Sequence, residues 1–225
     1  MRRETHPSAV LPLALVAGLT ILFRIFDWDL AVQRLFWSAE SGWPWVEPEP
    51  WRSLYGYGPL PAIAIGVGAL AVFLAGLRSA RLARRRAAAL YFVLLLIVGP
   101  GILVNVLCKD HWGRPRPRDL AEFGGQEPFW EVLEWRPGGE GHSFPSGHAS
   151  SGFYLLAPFF PLRRTRPRRA LFFLALGLAY GVLMGMARIG QGAHFASDVL
   201  WAFALVYFPA LGLARLLGLD RPPAS

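Results

Sequence analysis

Six stretches of this 225-residue chain stay apolar for close to the length of a bilayer crossing, and no other feature limits the fold so tightly. Hydrocarbon offers backbone N–H and C=O groups no water, so a crossing segment must satisfy them internally, as a helix of about 20 residues does. The stretches are Ser8 to Phe26, Pro59 to Leu77, Ala87 to Leu107, Gly147 to Leu162, Ala170 to Ala187 and Asp198 to Leu217. The fourth is the shortest and contains Pro158 and Pro161, so its end is the least sharply marked. With 54% hydrophobic and 17% charged residues and a mean hydropathy of +0.36, the chain is too apolar for an ordinary soluble domain. The expectation is an all-α, polytopic membrane protein with six transmembrane helices, forming a single domain over residues 1–225.

Charge orients it. Short cytoplasmic loops accumulate Lys and Arg, and RSARLARRR (78–86) and RRTRPRR (163–169) carry five arginines each. With Arg2, Arg3, Arg215 and Arg221 they place 14 of the 23 basic residues on one side, which is then cytoplasmic and holds both termini. Only Glu4 and Asp220 of the acidic residues join them. No small-x-small cleavage site separates the first apolar run from Arg24, Asp27 and Asp29, so that run reads as a retained span. The net charge of +8 is mainly this topology signal, with no nucleic-acid partner implied. Cys108 is the only cysteine, which excludes an intramolecular disulfide.

Two long segments face outward. Residues 27–58 hold five of the nine tryptophans, Trp28, Trp37, Trp43, Trp45 and Trp51, as an aromatic belt or interfacial helix would. The second, Cys108 to Ser146 between the third and fourth spans, is rich in Pro, Gly and charge, and on this face it carries Lys109, Arg114, Arg116, Arg118 and Arg136. A cluster of cations against the topological trend points to a site.

Three polar segments lie at the outer ends of spans: Lys109 to Pro117, Pro145 to His148, and Arg188 to Asp198. In GHSFPSGHAS (141–150), Ser146 stands where a helix N-cap belongs, and the free amides of Gly147 and His148 in the first turn suit an anion. A plain serine cap, with His148 merely interfacial, accounts for this stretch equally well in isolation. His194 and Asp198 are four apart, so on a helix they share a face, and the carboxylate would hold Nδ1–H and leave Nε2 free. That arrangement serves a base, a metal ligand or a nucleophile, or simply an ion pair at the start of the last span.

The competing chemistries differ in charge and spacing. His142, His148, His194 and Asp198 offer zinc-type donors, but Lys109, Arg116 and Arg188 would repel a divalent cation and favour a phosphate dianion. FPSGH does not fit the G-x-S-x-G elbow of a serine hydrolase. Cys108 and Arg114 have the C-x5-R spacing of cysteine-dependent phosphatases, yet only Gly113 is small enough between them to turn amides onto phosphate.

Jointly, the three segments resemble the type 2 phosphatidic acid phosphatase superfamily, with signature K-x6-R-P, then P-S-G-H, then S-R-x5-H-x3-D. Lys109 to Arg116-Pro117, Pro145 to His148, and Arg188, His194 and Asp198 match in order and spacing; Ala187 stands where the third motif has serine. The resemblance implies that His194 attacks phosphorus to form a phosphohistidine, Asp198 orients it, and His148 protonates the leaving oxygen and then activates water. Lys109, Arg116, Ser146, Gly147 and Arg188 would hold the phosphoryl oxygens, with no metal or organic cofactor.

A site at the outer membrane–water boundary suits a phosphorylated membrane lipid as substrate and, in a two-membrane bacterium, places it on the periplasmic face of the inner membrane. The flanks Phe144 to Phe153 and Gly192 to Trp201 look most like bacterial members acting on lipid A phosphates. Undecaprenyl pyrophosphate and phosphatidylglycerol phosphate are the alternative substrates, lipid phosphotransfer the alternative reaction, and non-catalytic lipid or anion transport the reading from another class. His111, Trp112, Phe129, Trp130 and Trp135 are candidates for a head-group pocket, with interfacial anchoring the simpler account.

Overall fold

The structure, a computed structural model, describes residues 9–220, and these are helical with irregular connections and no β-strand. Helix α1 (Val10–Ile25) meets α2 (Trp28–Arg34) at a 70° bend. Asp27 sits at that bend with φ 49°, a left-handed conformation that cannot continue a right-handed helix. Helix α3 (Trp51–Tyr57) runs into α4 (Leu60–Ala75), and short α5 (Ala80–Ala83) precedes α6 (Arg86–Leu96). The remaining helices are α7 (Gly147–Phe153), α8 (Phe159–Leu162), α9 (Pro167–Gly190) and α10 (Ala196–Leu216).

Four helices among the described residues are long and apolar enough to cross a membrane: Trp51–Ala75, Arg86–Cys108, Pro167–Gly190 and Ala196–Leu216. The bent pair α1 and α2 makes a fifth if taken as one span. The expected fourth span, Gly147 to Leu162, is not a continuous helix but α7, a 3₁₀ turn at Tyr154–Leu156, and α8. Proline supplies the reason, since Pro158 lacks an N–H and its ring crowds the carbonyl four residues earlier. Ser8, Arg2, Arg3, Glu4 and Arg221, used above for the first span and for orientation, lie outside the described residues.

After Leu96, α6 widens into a π-helix over Ile97–Cys108 with Pro100 inside it. Proline cannot supply the α-register bond there, and Asn105 donates its side-chain amide to the Pro100 carbonyl at 2.7 Å. The wide register persists to the end: the Lys109 N–H bonds the Val104 carbonyl, five residues back, at 3.1 Å. Lys109 is thereby delivered to the mouth of the bundle.

Helix α9 packs through glycine. Gly177, Gly181 and Gly185 recur every fourth residue, so they lie on one face and let neighbouring backbones approach. A Cβ would sit 2.3 Å from the Leu156 backbone nitrogen at Gly177, 2.2 Å from the Phe153 ring at Gly181 and 2.5 Å from Val199 at Gly185. The broken segment is further tied to α6 by Tyr91, whose hydroxyl donates to the Ala157 carbonyl at 3.0 Å, and by Tyr154, which donates to Phe92 at 2.8 Å. Large side chains such as Leu11, Val67, Ile97, Phe172 and Val182 are exposed, as lipid contact requires.

The 109–146 loop is a packed cap. Leu120 and Phe123 are buried with Phe195 under Trp37, Trp43 and Phe129, and backbone bonds from Arg136 to Trp112 and from Ser143 to Arg114 cross it at 3.0 and 2.9 Å. Replacing Gly177 by Val should cost about 1–3 kcal/mol, because backbone atoms must move to admit it. Gly68, with nothing within 4 Å of a built Cβ, provides the control; thermal unfolding in detergent should show a lower midpoint for Gly177→Val and little change for Gly68→Val.

Candidate active site

The three polar segments meet at one end of the bundle. A cavity of about 270 Å³ is lined by Val46, Tyr55, Lys109, Arg116, Arg118, His148, Arg188, Gln191 and His194. Four cations and two histidines border it, and no carboxylate does. A larger cavity of about 500 Å³ lies under the loop, but its lining, which includes Asp119, Glu127, Trp130, Arg136 and Glu140, contains no histidine.

His194 lies just before α10, in the turn that joins it to α9. Its Nδ1 is 2.6 Å from the Ser143 carbonyl, which can only accept, so Nδ1 carries the proton and Nε2 keeps its lone pair for the cavity. The Asp198 carboxylate is 3.8 Å from Nδ1, too far for the direct bond that the i,i+4 spacing suggested. His194 precedes the helix, so the shared-face rule does not apply to it. Asp198 instead caps α10, accepting from the Phe195 N–H at 2.8 Å, and takes the Ser143 hydroxyl at 2.6 Å. The same Ser143 residue therefore links the carboxylate to the imidazole. Burial holds His194 below its ordinary value of 6.5, with the Arg188 charge adding to this and Asp198 opposing it.

The cations crowd one another. Burial, then the charges of Arg116 and Arg188, lower the pKa of Lys109; burial, then Arg118, lowers that of Arg116. The Nε atoms of Arg116 and Arg188 are buried and have no hydrogen-bond partner among the described residues. An anion in the cavity would relieve the repulsion. Arg188 is otherwise held by Gln191, at 2.5 Å, and lies over the Tyr55 ring, 4.6 Å from its centroid. Tyr55 also stacks on His148 with centroids 5.1 Å apart, while its carbonyl is 3.1 Å from His148 Nε2.

Not every expected residue lines this cavity. Ser146 is buried and turns its hydroxyl to the Ala149 N–H at 3.4 Å as an N-cap. Gly147 is needed for fit, since a Cβ would meet the Asn105 side chain at 2.8 Å. His142 belongs to the loop, its Nδ1 3.0 Å from the Lys109 carbonyl. Arg114 is withdrawn from the cation cluster and fully buried between Asp29, at 2.8 Å, and Asp198, at 2.6 Å. It is not free to hold phosphate beside Cys108, and neither residue lines the histidine cavity. The proposed head-group aromatics are also elsewhere: Trp112 packs on Phe144, Phe129 on Phe195 and Trp130 beneath Arg136, while Trp135 binds the His111 carbonyl.

Sequence reasoning missed Tyr55, Gln191 and the supporting role of Trp43 and Trp45. The two tryptophans close over Gly192 and Gly190, where a Cβ would collide with their rings at 2.4 and 2.3 Å. The G-x-G spacing before His194 was a signal of close approach, though it did not name the partner.

Two outcomes follow from this electrostatics. Lys109→Met and Arg116→Gln should each weaken orthovanadate inhibition about 10- to 100-fold, the worth of one charged hydrogen bond. Because its pKa is depressed, His194 stays neutral below the pH at which a free imidazole protonates. A ¹⁵N-histidine NMR titration of the ligand-free protein should place its midpoint below 6.5, and a midpoint at or above that value would refute the assignment.

Comparison with known proteins agrees with the motif geometry. The chain is 41% identical to the lipid A 4'-phosphatase of Francisella tularensis subsp. novicida over 123 residues, 54% of each chain. It is 31% identical to the lipid A 1-phosphatase of Rhizobium johnstonii over 136 residues, 58% of this chain and 51% of that one. The match to the phosphatidylglycerophosphatase B of Bacillus subtilis is 29% over 119 residues, 50% and 51% of the two chains. The chain spans about half the length of the curated relatives it matches, and no solved structure matches it. The PAP2 superfamily model covers residues 86–220, more than half of the chain and all three motifs, and the chain belongs to that superfamily.

Proposed function

We propose that the chain is a metal-independent lipid phosphatase that works through a phosphohistidine on His194, with a lipid A-type phosphate as the favoured substrate. The observation that carries this reading is the single cavity bordered by His194, His148, Lys109, Arg116 and Arg188. The names of the relatives support the substrate class.

In the first step the Nε2 lone pair of His194 attacks phosphorus and the bond to the lipid oxygen breaks. The leaving oxygen takes a proton from His148, whose imidazolium is favoured by the phosphate dianion beside it. In the second step neutral His148 removes a proton from water. The hydroxide attacks phosphorus, the P–N bond breaks, and phosphate leaves with His194 regenerated. Lys109, Arg116 and Arg188, which line the cavity, are assigned to the phosphoryl oxygens, with the Gly147 and His148 amides as further donors at the start of α7, while Ser146 caps that helix. Asp198 orients His194 through Ser143.

We read the membrane layout as six passages, the broken 147–162 segment being the fourth, with both termini cytoplasmic and the cavity at the periplasmic face of a bacterial inner membrane. The arginine-rich segments 78–86 and 163–169 at the other ends of the helices support this orientation.

Purified protein offered lipid A, undecaprenyl pyrophosphate, phosphatidylglycerol phosphate and phosphatidic acid should release inorganic phosphate fastest from lipid A, with EDTA without effect. Preference for another lipid would reassign the substrate, and transfer to a second lipid would identify a phosphotransferase. His194→Ala should lower kcat by at least about 10³-fold and abolish acid-labile ³²P labelling of the protein; full activity in that variant would refute the phosphohistidine.

A further inference from the structure

Behind His194 lies a buried polar network, and two of its members come from α2, well before the family-matched residues 86–220. Asp29, 1% exposed, accepts from Arg114 Nη2 at 2.8 Å and from the Ser197 backbone N–H at 2.9 Å. Arg114 gives Nη1 to Asp198 at 2.6 Å and to the Ser197 hydroxyl at 2.9 Å. Gln33, 0% exposed, donates Nε2 to the backbone carbonyl of His194 at 2.8 Å. Helix α2 therefore grips the 194–198 turn at both ends, directly at the His194 backbone and through Ser197 and Arg114 at the other.

The grip reaches the imidazole by a continuous route. With one edge of the Arg114 guanidinium fixed by Asp29, Asp198 Oδ1 is fixed by Arg114. Oδ2 is left to hold the Ser143 hydroxyl and the Phe195 N–H, and the Ser143 carbonyl sets Nδ1 of His194. Attack on phosphorus is sensitive to displacements of a fraction of an ångström, so slack anywhere along this route would be felt at Nε2.

We propose that α2 is a positioning element of the phosphate site, in which Asp29, through Arg114 and Ser197, and Gln33, through the His194 carbonyl, hold His194 in line for attack. The proposal rests on His194 being the nucleophile. It gives this N-terminal segment a catalytic purpose beyond membrane anchoring.

The test uses the full chain in detergent and the lipid of the substrate panel that the unaltered protein hydrolyses. Asp29→Asn and Gln33→Met should each lower kcat about 10- to 100-fold, since a misplacement of up to about 1 Å of a reacting group costs up to about that much. KM should stay within about twofold, since neither residue touches the cavity, and ³²P-phosphoenzyme formation should slow by the same factor as kcat. An unchanged kcat in either folded variant, or a loss confined to KM, overturns the proposal. If Asp29→Asn does not fold, Gln33→Met carries the test, because it removes one neutral hydrogen bond and no charge. Failure of the underlying mechanism looks different: His194→Ala would retain activity whatever the α2 variants do.

Discussion

The fold at its functional end depends on one buried cation. Arg114 is withdrawn from water between Asp29 and Asp198, with the Ser197 hydroxyl and the Trp130 carbonyl accepting two further bonds and the Phe195 ring 4.2 Å from its charge. Removing one partner of such a pair costs about 3–5 kcal/mol, because the survivor keeps its desolvation penalty without compensation. The arrangement joins three parts of the chain that sequence separates widely: α2, the loop after the π-helix, and the first turn of α10. The positions of the loop and of the 194–198 turn are therefore coupled.

The two sides of His194 are built on opposite principles. Behind it, every charge has a partner and the carboxylate of Asp198 accepts from Arg114, Ser143 and Phe195. In front, Lys109, Arg116 and Arg188 stand close together, and among the described residues the Nε atoms of Arg116 and Arg188 have no partner. Paired buried charges hold one another in place, whereas a cluster of one sign attracts its opposite. In the proposed reaction, placing the second against the first would let donors stand in position before phosphate arrives, leaving little reorganisation for the chemical step.

Backbone irregularities place the groups. The π-register through Pro100 carries Lys109 to the mouth of the bundle, and Gly147 fits α7 against Asn105 of that same π-helix. The glycines of α9 draw α7 and α10 together, which brings His148 on α7 and His194 in the turn before α10 to one cavity. The N-terminal part adds the walls: Trp43 and Trp45 lie on the glycines before His194, and Tyr55 covers His148 and Arg188.

Much of this was legible in the amino-acid order. Bilayer length fixes the long apolar helices, and Lys109, Arg116, His148, Arg188 and His194 could be picked out because their spacing and residue types suit phosphate chemistry. The break after α7 was signalled by its prolines, though how far it would interrupt the span was not. Tertiary structure alone decided which cations face the cavity. In RPRPR the arginines at 114, 116 and 118 look alike, and only their surroundings make the first a buried brace and the others cavity walls. Likewise, four-residue spacing suggested a direct His194–Asp198 bond, but that inference assumes a helix beginning before His194. The helix begins after it, so Asp198 turns to cap α10 and reaches the imidazole through Ser143. Burial and hydrogen-bond partners belong to the packed chain, because both depend on groups that sequence places far apart.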